Sequence, residues 1–106
     1  MKMEVIISYG VGWKPSITIE SKKYNFELVL KDVSYQLLNW LSLLKCAQNN
    51  AYHSIPISDG WTLQTTGEKF VFEFVEETNG ISFTLTISRE DGLAMTEEVC
   101  RLLRSY

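Results

Sequence analysis

Apolar and polar residues alternate along much of the chain, which predicts β-strands. In residues 3–9, Met3, Val5, Ile7 and Tyr9 point one way and Glu4 and Ser8 the other, which predicts a first strand. Residues 16–30 predict a hairpin that turns at residues 21–22 and pairs Ile19 with Tyr24. This pairing collects the apolar residues on one face, as a half-buried antiparallel pair requires.

The second half of the chain predicts a meander of three strands. Thr66-Gly67 and Asn79-Gly80 are turn signals, and each is interpreted as a two-residue loop. The second loop places Phe74 opposite Leu85. Both turns independently produce the same apolar face, which consists of Phe70, Phe72, Phe74, Phe83, Leu85 and Ile87.

Two segments have the three- and four-residue apolar spacing of amphipathic helices. The first runs from about residue 33 to residue 47, and Asp32 or Ser34 can cap it. The second follows Ser88, a capping serine with an acid three residues later. Gly92 weakens the first turn of that helix, so a later start is also possible.

These elements predict an α+β fold in the order β-ββ-α-βββ-α. Residues 48–60 are interpreted as a loop or a short strand. An antiparallel sheet of about six strands, with both helices packed on one face, buries the apolar positions most simply. The chain has 106 residues and 45% hydrophobic residues, which fits a single domain over 1–106 with its own core.

The residues that carry catalysis or bind metals are few and scattered. His53 is the only histidine, and no nucleophile motif, Gly-rich phosphate loop or zinc spacing accompanies it. Cys46 and Cys100 are interpreted as buried reduced thiols, with a disulfide joining the two helices as the alternative. We therefore expect no enzyme activity, no cofactor and no metal. No apolar run is long enough for a membrane span, and we expect no membrane contact.

Charge is distributed unevenly along the chain. Residues 59–98 contain nine acids and two bases, a net charge of −7, whereas the remainder is at +4. Such a segment does not suit direct binding to nucleic acid, whose phosphates need Lys and Arg. It suits a basic protein partner, with a solvated acidic surface as the alternative.

Acids of this segment and one loop tryptophan are the candidate contacts. Glu73 and Glu77 are expected on the solvent-facing sheet surface, and Glu76 and Asp59 near strand ends. Trp13 lies in a glycine-flanked loop, where an exposed aromatic side chain can anchor an interface. The candidate partner-binding residues are Trp13, Asp59, Glu73, Glu76 and Glu77.

The meander Trp61–Ser88 with its acids, together with the helix Glu90–Arg104, resembles the small immunity proteins of bacterial toxin systems, such as contact-dependent growth inhibition. That resemblance implies an acidic, non-catalytic, cytoplasmic domain that neutralises one cognate toxin, for example by occluding the basic cleft of a nuclease. The group shares no motif, so no residue role is carried over. The alternatives are a phage- or plasmid-encoded inhibitor of a bacterial defence system and a small-molecule-binding domain, which would have a deep pocket.

Overall fold

A computed structural model describes residues 4–9, 15–30, 35–58 and 60–104. These residues form seven strands and two helices, which confirms the α+β class. The elements are β1 (Glu4–Tyr9), β2 (Pro15–Ser21), β3 (Phe26–Leu30), α1 (Leu37–Gln48), β4 (His53–Ser58), β5 (Trp61–Thr65), β6 (Lys69–Glu76), β7 (Ile81–Ser88) and α2 (Arg89–Arg104).

The described strands form two antiparallel sheets where one was expected. The first has the order β1-β2-β3, and the second has the order β4-β5-β6-β7. The physical reason is β4, which lies in the segment interpreted as a loop or short strand. Because β4 pairs with β5 from His53 to Ser58, it takes the edge through which the first three strands could have continued the meander.

All three predicted two-residue loops are wrong, and the true loops are longer. Ile19 pairs with Leu28 instead of Tyr24, across a loop in which Asn25 adopts a φ of 52°. Phe74 pairs with Phe83 instead of Leu85. Glu76 and Ile81 form the last pair of the two strands, so the loop between them consists of residues 77–80. Each register differs from the prediction by an even number of residues, so every side chain keeps its predicted face.

The core lies between the two sheets and the helices. Both helices pack on the face of the four-stranded sheet that carries Leu63 and Phe72, and α2 also contacts β1. Phe72 and Ile87 are fully buried as expected, whereas Phe74 and Leu85 are only partly buried. The largest buried side chains include Trp40, Phe70, Phe72, Ile17, Ile19, Leu30 and Leu43.

Helix α1 begins at Leu37, with Gln36 as its N-cap residue and no side-chain capping bond. The proposed caps Asp32 and Ser34 lie outside the described residues. At the other end, Asn50 adopts a φ of 56°, a left-handed conformation that ends helices.

Helix α2 begins at Arg89, so the weak first turn expected from Gly92 does not delay it. The Asp91 backbone N–H donates to Ser88 Oγ at 3.2 Å, which confirms Ser88 as the cap. Gly92 is needed because an added Cβ would lie less than 3.0 Å from ring carbons of Phe70. The helix therefore starts directly on the core of the four-stranded sheet.

Candidate protein-binding surface

Three of the five candidate residues lie together on the β6–β7 hairpin. Glu73 lies on the outer face of β6, and Glu76 ends that strand. Glu77 lies in the loop rather than on the sheet, because the loop is two residues longer than predicted. Trp13 and Asp59 lie outside the described residues.

The hairpin extends beyond its neighbour strand. The register of β5 with β6 ends at Trp61 and Phe74, and beyond the bond from Val75 N–H to the Gly60 carbonyl no described strand lies beside the end of the hairpin. Val75 is 44% exposed, Ile81 52% and Phe83 49%. Phe83 lies on the predicted apolar face of the sheet, the face on which the helices pack. Its position near the end of the hairpin is one that the helices do not cover.

The acids and the exposed aliphatic residues lie at the same end of the β6–β7 hairpin, and we call this end the acidic tip. Glu73 and Val75 lie on its outer face, Glu76 and Ile81 on the opposite face, and Glu77 in the loop. Residues 70–88 contain three acids and no Lys, Arg or His. The acidic tip therefore combines uncompensated negative charge with apolar side chains, a composition that suits a protein interface.

The turn itself is ordered by its own side chains. Asn79 Nδ2 donates to Glu76 Oε1 at 2.9 Å, which holds this carboxylate against the loop. Gly80 adopts a φ of 65°, a conformation that favours glycine over other residues. Glu77, in contrast, is exposed in the loop and can meet a partner.

A series of contacting aromatic rings links the β6–β7 hairpin to the core. The Trp61 ring centroid lies 5.1 Å from that of Phe74 and 6.0 Å from that of Phe83. Trp61 also contacts Phe26 at 6.0 Å, and Phe26 lies 4.8 Å from the buried Phe72. Because these rings connect the exposed hairpin to the core, packed aromatic side chains hold the acidic tip in position.

Two acids of the 59–98 segment are neutralised by bases outside it. Asp91 is 7% exposed and accepts hydrogen bonds from Lys23 Nζ at 2.7 Å and Tyr24 Oη at 2.6 Å. Lys23 and then Tyr24 lower the pKa of this carboxyl to about 2. Glu98 forms an ion pair with Arg101 on the surface of α2. The accessible negative charge is therefore concentrated closer to the acidic tip than the sequence count indicates.

The candidate catalytic and metal-binding side chains are one histidine and two cysteines. His53 lies on β4 opposite Thr65, half-buried, rather than in a loop. Cys46 and Cys100 are both free thiols, and burial raises the pKa of Cys100. Within the described ranges, no group of three His, Cys, Asp or Glu side chains is arranged to hold a metal ion.

An open pocket of about 210 Å³ lies at the β2–β3 hairpin. It is smaller than the roughly 300–1,000 Å³ of typical small-molecule sites. It therefore gives little support to the small-molecule alternative. Its lining residues are Glu20, Ser21, Lys22, Asn25, Phe26 and Glu27.

Comparison with known proteins identified no relative of this chain. No protein-family model, curated protein or solved structure matches this chain. Neither helix of the described residues is long and apolar enough to cross a bilayer. Function is therefore inferred from the surface chemistry of the described residues.

Proposed function

We propose that this chain is a non-catalytic protein-binding domain whose acidic tip binds a basic protein. The partner is a bacterial toxin, a nuclease, and the chain acts as its immunity protein. One observation carries the proposal: the hairpin that extends beyond β5 presents three acids and no base beside the exposed Val75 and Ile81.

The two kinds of side chain would contribute differently to binding. Val75 and Ile81 are about half exposed, and covering them removes apolar surface from water, which favours association. The acids contribute chiefly to specificity and to the rate of association with a positively charged surface. A basic cleft with apolar walls that encloses the end of the hairpin fits this arrangement, because Val75 and Ile81 lie on opposite faces.

A nuclease meets this requirement because its cleft must hold phosphates with Lys and Arg. An acidic hairpin can occupy such a cleft in place of the phosphates and exclude the nucleic acid. Inhibition of this kind requires no chemistry from the inhibitor. The encounter would take place in the cytoplasm of the cell that makes both proteins.

The proposal predicts that a toxin with a nuclease domain is encoded beside this chain's gene, and the test uses that domain. Its affinity and its residual nuclease activity are measured with the wild type and with the Glu73→Lys/Glu77→Lys variant. A matched control, Glu68→Lys/Glu97→Lys, makes the same charge change at two exposed acids away from the hairpin. We expect the tip variant to bind at least about tenfold more weakly and the control to change by no more than about twofold.

Equal losses in both variants would show that only net charge matters and would contradict the acidic tip as the interface. A gene neighbourhood of phage or plasmid genes without a toxin would contradict the toxin assignment. The same two variants would then be measured against the defence protein that such genes oppose.

A further inference from the structure

Strand β7 is an edge strand without the features that usually protect one. It forms the last position of the order β4-β5-β6-β7, and no described strand pairs with its outer edge. Its eight residues, Ile81–Ser88, include no charged residue and no proline. Its pairing with β6 is continuous, without a bulge. Long, uncharged edges of this kind are templates for pairing with another strand.

The hydrogen-bond pattern identifies which backbone groups are open. The Val75 N–H donates to the Gly60 carbonyl on the β5 side at 3.0 Å. Its neighbour Phe74 therefore faces β7 and exchanges hydrogen bonds with Phe83. It follows that alternate residues of β7 direct their N–H and C=O groups away from the sheet, namely Ser82, Thr84 and Thr86.

The next residue in this series supports the assignment. The Ser88 N–H donates to Tyr24 Oη at 3.2 Å, on the side away from β6. Within the part of the chain that the structure describes, Tyr24 of the β2–β3 hairpin closes the edge at Ser88, and no strand pairs with the edge over residues 82–86.

We propose that two copies of this chain pair through β7 in antiparallel fashion, forming one eight-stranded sheet about a two-fold axis. A two-fold interface requires the same surface on both copies. Among the described residues of β7, the outward backbone groups that no strand pairs with belong to residues 82, 84 and 86, so each of these residues must pair with one of the same set. In the register centred on Thr84, Thr84 faces Thr84 of the second copy, and Phe83 faces Leu85 of the second copy.

Chemical matching favours a second copy as the occupant. Directly opposite residues share a face in an antiparallel pair. The register centred on Thr84 therefore brings Ser and Thr together on the outer face, and Phe83 and Leu85 together on the inner face. Phe83, now 49% exposed, would be covered by apolar side chains.

Electrostatic repulsion does not oppose this pairing. Glu73, the acid opposite Thr84 on β6, lies one strand back from the edge. Its counterpart would lie three strand spacings away, about 14 Å. This exceeds the Debye length of about 8 Å at physiological salt. Because the two strands run antiparallel, the loops carrying Glu77 would lie at opposite ends of the interface, so the two Glu77 side chains do not approach each other.

The test is the mass of the full chain in solution, measured by sedimentation over a range of concentrations. We expect twice the mass of one chain for the wild type. Thr84→Lys places two like charges beside the two-fold axis and should give a monomer. Gln64→Lys adds the same charge to the same outer face on β5, two strands from the edge, and should remain a dimer.

Two further measurements keep the outcome decisive. Thr84→Pro removes only an outward N–H and should also give a monomer; if it does not fold, Thr84→Lys decides. Amide exchange at Ser82 and Thr86 should be slow in the wild type and fast in Thr84→Lys. A wild-type monomer at every concentration, a dimeric Thr84→Lys, or equal dissociation of Gln64→Lys would overturn the proposal.

Discussion

Gly92 lies in the first turn of α2, where a single added methyl group would collide with the core. An ideal Cβ there would lie less than 3.0 Å from three carbons of the Phe70 ring. Phe70 is fully buried, and its strand is paired on both sides, with Thr65 and Ile87. We expect Gly92→Ala to destabilise the protein although alanine is the better helix former.

Two opposing effects set the magnitude. At an unhindered helix position, alanine is more favourable than glycine by about 1 kcal/mol. Contacting carbons are normally separated by about 3.5–4.0 Å, so the helix and the Phe70 ring must move apart by roughly 1 Å or more. Overpacking of this kind costs about 1–3 kcal/mol. Because Phe70 is held by two strands and the helix start by Ser88, we expect a net loss of about 1–2 kcal/mol.

Urea unfolding followed by circular dichroism measures this difference, with an unchanged m-value. Ala94→Gly, at an exposed position of the same helix, reports helix propensity alone and should cost about 1 kcal/mol. In a Phe70→Leu background the collision is relieved, so Gly92→Ala should become neutral or stabilising. A stabilising Gly92→Ala in the wild-type background would refute the close contact between helix and ring.

Two further predictions concern the packing that supports the hairpin. Because Lys23 and Tyr24 lower the pKa of Asp91 from 3.8 to about 2, its contribution is complete above pH 3.8 and is lost as the pH falls toward 2. Lys23 is partly exposed, and solvent screening of its charge reduces that contribution to about 1–2 kcal/mol. Urea midpoints of the wild type and of Asp91→Asn should therefore differ at neutral pH and converge in acid. Phe72→Ala, at a fully buried position, should cost about 3–5 kcal/mol. Val71→Ala, on the opposite face, should cost much less, and equal losses in urea unfolding would contradict the assigned faces.

The faces of the strands could be predicted from the sequence, whereas the loops between them could not. Alternation has a period of two, so it specifies which residues share a face and leaves any even shift of register open. Asn79-Gly80 marks the β6–β7 turn correctly, and Gly80 adopts the expected positive φ. The loop nevertheless also includes Glu77 and Thr78.

The three acids of the acidic tip could be predicted from the sequence, but its two aliphatic residues could not. Glu73 and Glu76 follow from charge and strand assignment, and Glu77 follows from charge although it lies in the loop rather than on the sheet. The exposure of Val75 and Ile81 depends on how far β5 extends beside β6, and alternation within one strand carries no information on its neighbour's length. The bond between Tyr24 and Asp91 joins residues 67 positions apart, and only the tertiary fold brings them together.

The most direct test of the proposed function is the salt dependence of association with the nuclease domain that the proposal expects to be encoded beside this chain's gene. Exposed charges are screened beyond roughly 10 Å at 0.1 M salt, so the wild-type association rate should fall steeply as salt rises. Glu73→Lys/Glu77→Lys should associate slowly and lose most of that dependence. A wild-type rate that stays flat across the salt series, or a partner whose contact surface is acidic, would contradict the acidic tip as the binding surface.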